Sequence, residues 1–107
     1  MLTGGFTVPT INAMKIEFDV AKYASNQKKH GVSLGDAAKL DWDTATVCGD
    51  MRRDYDEYRE IGYGLIEARL YCVVFVRRGE AFRIISLRKT NQQEVNDYEK
   101  THLPDGG

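Results

Sequence analysis

Cutting a phosphodiester without a metal takes a base for the attacking hydroxyl, an acid for the leaving oxygen, and fixed positive charge on the phosphorane between them. In this chain His30, Glu57 and Tyr98 are suited to exchanging protons, and Lys29, Arg53, Arg59, Arg83 and Arg88 to holding the anion. Arginine fits the second role because its planar fork binds two phosphate oxygens and keeps its charge. Plainer readings stand beside these. A histidine that closes a helix complements the helix dipole, and Glu57 with Arg59, two apart on one strand face, reads equally as a surface ion pair. Arg83 resists such a reading. Strand alternation puts it with Ile85 and Leu87, both expected to be buried, so its charge needs a carboxylate, a phosphate or a cleft.

Other chemistries find little support. His30 and His102 have no companion ligands at metal-binding spacing. Gly62-Tyr63-Gly64 lies inside a strand pattern rather than before a helix, so it is not a phosphate loop. No cofactor or metal is expected. Cys72 sits in an apolar run where cysteine acts as a small hydrophobe, which leaves catalysis through it as a third, weaker reading. Cys48 and Cys72 read as reduced thiols.

The 107 residues, 42% hydrophobic and 29% charged with 2 prolines, suit one globular domain with one core. A net charge of −1 hides an uneven distribution. Arg69, Arg77, Arg78, Arg83, Arg88 and Lys89 stand against Glu80 alone, whereas residues 36–60 carry eight acidic residues against Lys39, Arg52, Arg53 and Arg59. A basic face is therefore compatible with a near-neutral total, and a face is what a phosphate backbone meets. No stretch has membrane-span length and no leader pattern opens the chain, so a cytoplasmic location is expected.

The elements that must position these groups read as α+β. Residues 1–13 are Gly/Thr-rich without a period and are set aside as a flexible N-terminal extension, leaving residues 14–103 as a single domain. Lys15 to Phe18 could pair as a strand. Asp19 is a fitting N-cap for a helix to about His30, with Ala21, Tyr23 and Ala24 as its apolar stripe and Gly31 in the left-handed closing position. Ser33 and Asp36 form a capping-box pair for a second short helix, near whose end Trp42 packs. The period then becomes two. Strands are expected at 44–48, 57–66, 70–76 and 82–89, the third continuously apolar and hence central, giving an antiparallel sheet of about four strands. Thr90 with Gln93 is expected to cap a last helix to about His102, with Val95 and Tyr98 on one face.

Three ordered blocks resemble a known family. Phe18-Asp19, Ala21-Lys22, Asn26 and Lys29-His30-Gly31-Val32-Ser33 look like the opening signature of the BrnT toxins. Asp54-Tyr55, Glu57, Arg59, Ile61 and Gly62 look like the middle block, and Arg83-Ile84-Ile85-Ser86, Arg88-Lys89, Glu94, Tyr98 and Glu99 like the closing one. Phe18 stands where the family commonly has tryptophan, and Asp56 where it often has glycine. The resemblance implies a RelE-like fold and a ribonuclease that arrests translation. It also implies neutralisation by a BrnA-like ribbon-helix-helix antitoxin in a heterotetramer that reaches operator DNA only through the antitoxin. The resemblance and the residue chemistry together make His30, Glu57, Arg59, Arg83 and Arg88 the expected catalytic residues, and Lys29, Arg53, Lys89 and Tyr98 the expected RNA contacts, Arg53 on residue chemistry alone. A non-catalytic module that binds an antitoxin or a nucleic acid is the competing expectation.

Overall fold

The computed structural model describes residues 15–52 and 57–102; the expectations for residues 1–13 and for Arg53 lie outside them. The elements are β1 (Lys15–Glu17), α1 (Val20–His30), a 3-10 helix (Leu34–Lys39), β2 (Thr46–Gly49), β3 (Glu60–Ile66), β4 (Arg69–Arg78), β5 (Ala81–Lys89) and α2 (Gln92–His102). The class is α+β as expected, with two corrections. The sheet has five strands in the order β1-β5-β4-β3-β2, and it is mixed because β1 runs parallel to β5. The expected pair of N-terminal helices is one α-helix and a six-residue 3-10 segment.

The apolar run of β4 places it at the centre of the sheet, where Leu70 and Cys72 through Val76 are all buried. Its partners are antiparallel, and β5 carries an irregularity opposite Val74 and Phe75. Glu67, with φ 57°, turns β3 into β4, and Gly79, with φ 59°, supplies the left-handed residue between β4 and β5. Cys48 pairs with Ile61 and Cys72 with Tyr63, which sets the thiols two strands apart. That lateral spacing of roughly 10 Å exceeds the reach of a disulfide, and both cysteines are free.

One face of the sheet holds the core. Val73, Phe75, Ile84 and Leu87 pack against Val32, Leu34, Ala37 and Leu40 from the 3-10 segment and its flanks. Burying a leucine such as Leu34 or Leu40 contributes about 1.5–3 kcal/mol. Trp42 meets Phe75 and Phe82 edge-on and donates its indole N–H to the Ala37 carbonyl at 3.0 Å, as its expected place near the segment's end requires. Gly64 makes this packing possible, because a Cβ there would stand 2.5 Å from a Leu40 methyl.

α1 opens and closes as expected. The Asp19 carboxylate accepts from the Ala21 and Lys22 amides, and Gly31, with φ 68°, returns its N–H to Gln27. Its apolar stripe is not buried, however. Tyr23, Ala24 and Ala21 are exposed, and the single buried residue of the helix is Asn26. The Asn26 amide donates to the carbonyls of Val32 (2.9 Å) and Leu87 (2.7 Å) and accepts from the Leu87 N–H (3.0 Å). β1 covers β5 only at residues 81–83, so Asn26 supplies the pairing that a longer edge strand would have given. At the other end the cap of α2 is Asn91 rather than Thr90. Asn91 and Glu94 satisfy each other's backbone N–H, while buried Thr90 donates its hydroxyl to the Leu70 carbonyl. Among the described residues no helix is long and apolar enough to cross a membrane.

Candidate functional site

The face of the sheet away from the core carries Arg83 and Arg78. The pairing of Val76 with Arg83 and of Arg78 with Ala81 puts both side chains beside the hairpin turn. The loop before β3 brings Glu57 and Arg59 to the same place. These two were expected on a strand, but β3 begins at Glu60, and the Asp50 N–H holds the Arg59 carbonyl at 2.8 Å. Asp50 is itself buried and accepts from the Arg52 backbone N–H, Nε and Nη2, which fixes the start of the loop. The N-terminal half of α1 closes the opposite wall with Asp19, Lys22 and Ser25, and Ile84 and Ile85 complete the lining. The result is an open cleft of about 480 Å³.

Four cations line this cleft: Lys22, Arg59, Arg78 and Arg83. Glu57 and Arg78 are hydrogen-bonded at 3.0 Å. Arg83 lies between Glu17 and Asp19, 3.8 Å from each. Those carboxylates balance its charge as burial beside isoleucines demands, but at that distance they are not hydrogen bonds. Arg83 thus lines the cleft with its two terminal nitrogens each beside a carboxylate. A phosphate that settles between Arg83 and Arg78 would meet two forks at once.

The remaining expected residues lie elsewhere. His30 and Lys29 are exposed at the far end of α1, with His30 roughly 12 Å along the helix axis from Lys22. Arg88 shares the strand and face of Arg83 but sits opposite Cys72, roughly 13 Å further along the sheet. It is committed to Glu94 of α2 through two hydrogen bonds of 2.9 and 2.7 Å. Lys89 is exposed on the opposite face, and Tyr98 spends its hydroxyl on the Thr44 carbonyl. The structure therefore brings Glu57, Arg59 and Arg83 together and leaves His30, Lys29, Arg88, Lys89 and Tyr98 outside.

Arg88 and Glu94 form the second polar cluster, under α2. The Arg88 hydrogen bonds, with help from the Asn91 N–H, hold the Glu94 carboxyl down to about 2. The same pair raises the Arg88 proton affinity further. Tyr63, 3.4 Å from Glu94, is pushed up to about 12 by burial and by the neighbouring Cys72 and Glu94 charges. Burial likewise raises the Cys72 thiol, which leaves it a poor nucleophile. These are the properties of a locked clasp. A hollow beside it of about 250 Å³ is rimmed by Glu94 and Asp97, the wrong sign for a phosphate. Among the described residues no three His, Cys, Asp or Glu side chains are grouped to hold a metal.

Sequence reasoning missed Lys22, Ser25 and Arg78 as cleft residues and read Asp19 only as a cap. Arg78 lies past the expected end of its strand at residue 76, and the helical spacing of Asp19, Lys22 and Ser25 is the available signal that one face of α1 is polar.

Among curated proteins none matches the chain. A family model described as the ribonuclease toxin BrnT of type II toxin–antitoxin systems matches residues 18–94, more than two thirds of the sequence and every residue of the cleft. The resemblance seen in the three sequence blocks is therefore borne out, and the chain belongs to the BrnT family of ribonuclease toxins of type II toxin–antitoxin systems.

Proposed function

We propose that the chain is a metal-independent endoribonuclease that arrests translation, and that the cleft between α1 and the β4–β5 hairpin is where it cuts. One observation carries this reading: Glu57, Arg59, Arg78 and Arg83 converge on a single open cleft although they come from a loop and two strands. In the proposed reaction Glu57 takes the proton of the RNA 2′-hydroxyl, whose oxygen forms the new bond to phosphorus. The arginines hold the phosphorane charge, and the 5′-oxygen leaves with a proton from water in the open cleft. The products are a 2′,3′-cyclic phosphate and a 5′-hydroxyl end. The antitoxin of the pair is proposed to be a BrnA-like ribbon-helix-helix protein that assembles as a heterotetramer and alone touches operator DNA. The cytoplasm is the compartment that goes with this activity.

Induced expression in bacteria, with and without the antitoxin, tests the reading through growth and total RNA. Wild type should arrest growth and fragment RNA. Arg83→Ala should lower cleavage by about 10²–10³, the usual effect of removing one transition-state donor. Cleavage of purified RNA should persist in a metal chelator. An Arg83→Ala variant that is folded and fully toxic would remove the site, and loss of cleavage in chelator would remove metal independence. The competing reading, a docking module without catalysis, draws on the fact that Arg78 and Arg83 already face carboxylates. It requires intact RNA in the presence of folded wild type.

A further inference from the structure

α1 is anchored in an unusual way. Eleven residues long, it buries only Asn26, a polar residue, while its outward face stays apolar and uncovered. Val20, Tyr23, Ala24 and Gln27 follow the i, i+3, i+4, i+7 spacing of one helix stripe. Val20 is 81% exposed, and Phe18 extends the patch by packing its ring 5.2 Å from that of Tyr23. A helix this short is marginal in water by itself and ordinarily gains its stability from packing such a stripe. The charge on the helix has one sign. Lys22, Lys28, Lys29 and His30 lie within Val20–His30, with no acidic residue among the eleven. Lys28 sits one turn beyond Ala24, beside the stripe, and Lys22 faces the cleft.

We infer that the outward stripe of α1, centred on Val20, Tyr23 and Ala24, is where an acidic amphipathic helix of the antitoxin docks. The inference rests on the toxin reading above and adds the surface by which the antitoxin recognises the chain. Apolar anchors at this spacing fit a partner helix or groove, which favours a protein over a nucleic acid. The positive charge of Val20–His30 favours an acidic partner over a basic one, with half-exposed Asp19 the exception at its N-terminal end. Docking there covers the exposed patch and packs the stripe that the sheet leaves bare, while Lys22, on the opposite side of α1, stays with the cleft.

The test uses the purified full chain and the antitoxin encoded with it. Val20→Asp/Ala24→Glu reverses the character of the stripe without touching the cleft, and an aspartate in the first turn of a helix is favoured by the dipole. The expected result is a rise of about tenfold or more in the dissociation constant for the antitoxin. RNA cleavage by the free variant should stay within about twofold of wild type, and its circular dichroism melt should be unchanged. Wild-type affinity should also fall by about tenfold between roughly 50 and 500 mM salt. A dissociation constant within about twofold of wild type would overturn the proposal, as would slowed RNA cleavage with antitoxin binding intact. Salt-independent affinity would overturn the acidic character of the partner. Should the double variant fold poorly, Val20→Asp alone gives the same comparison. If wild type leaves RNA intact, the ribonuclease reading fails on that arm, and the binding comparison still decides the docking surface.

Discussion

Asn26→Ala is the substitution on which the account of α1 depends most. It removes three hydrogen bonds of 2.9, 2.7 and 3.0 Å at a site 4% exposed and leaves the Leu87 N–H, the Leu87 carbonyl and the Val32 carbonyl without their partner. Each orphaned buried group costs about 1–3 kcal/mol. Water reaches part of the vacated space because the neighbouring helix residues are exposed, so the net loss is set at about 3 kcal/mol rather than the full sum. For a domain of this size that lowers the melting temperature by roughly 12–24 °C. Thermal and urea melts followed by circular dichroism read the change directly, and amide exchange should show α1 losing protection before the sheet does. Asn26→Asp adds a sign test. It keeps the acceptor for Leu87 N–H but turns a carboxylate toward two carbonyls, so its deficit should shrink as the carboxyl is protonated at low pH. A melting temperature for Asn26→Ala within roughly 4 °C of wild type would refute the argument that a polar anchor holds this helix.

Three further outcomes follow from the geometry. Glu57→Gln should slow RNA cleavage by about 10²–10⁴ whereas His30→Ala should leave it within about fivefold, a comparison made by single-turnover cleavage; the reverse ranking would move the site to the end of α1. Glu94, held at about 2 in the folded chain against 4.5 unfolded, contributes stability that is present above about pH 4.5 and is lost as the pH falls toward 2; urea melts across that range should lose a component that Glu94→Gln lacks. Gly64→Ala should cost about 1–3 kcal/mol, because the new methyl meets the buried Leu40 side chain, and an unchanged urea midpoint would mean that the 3-10 segment yields freely.

Most signals that act over a few residues are legible in the sequence, although the cap of α2 falls one residue later than Thr90. The Asp19 cap, the Gly31 stop, the apolar run of β4 and the β4–β5 turn all stand where residue chemistry puts them. What escaped were pairings between distant segments. The parallel seat of β1 on β5 leaves no periodic mark in a three-residue strand. Ala21, Tyr23 and Ala24 stand out as an apolar stripe, but what anchors α1 is the amide of Asn26, a single polar residue invisible to hydropathy. The irregularity beside Val74 explains why Arg83 and Leu87 do not share a face as strict alternation implied. For the cleft proposed as the site, residue type was enough to single out Glu57, Arg59 and Arg83, which line it together. It could not exclude Arg88, whose commitment to Glu94 depends on how α2 lies over the sheet.

The bond between Asn26 and Leu87 joins residues 61 apart, and the cleft likewise takes one wall from α1 and the other from the last strand. A chain growing from its N-terminus therefore cannot assemble the cleft until β5 has been made. At ordinary elongation rates that separation amounts to roughly 3–12 s of synthesis. During that interval α1 lacks its Leu87 anchor and, at eleven residues, is marginal as a helix by itself. On the proposed reading, activity and the docking helix are therefore completed together, only when nearly the whole domain has been synthesised.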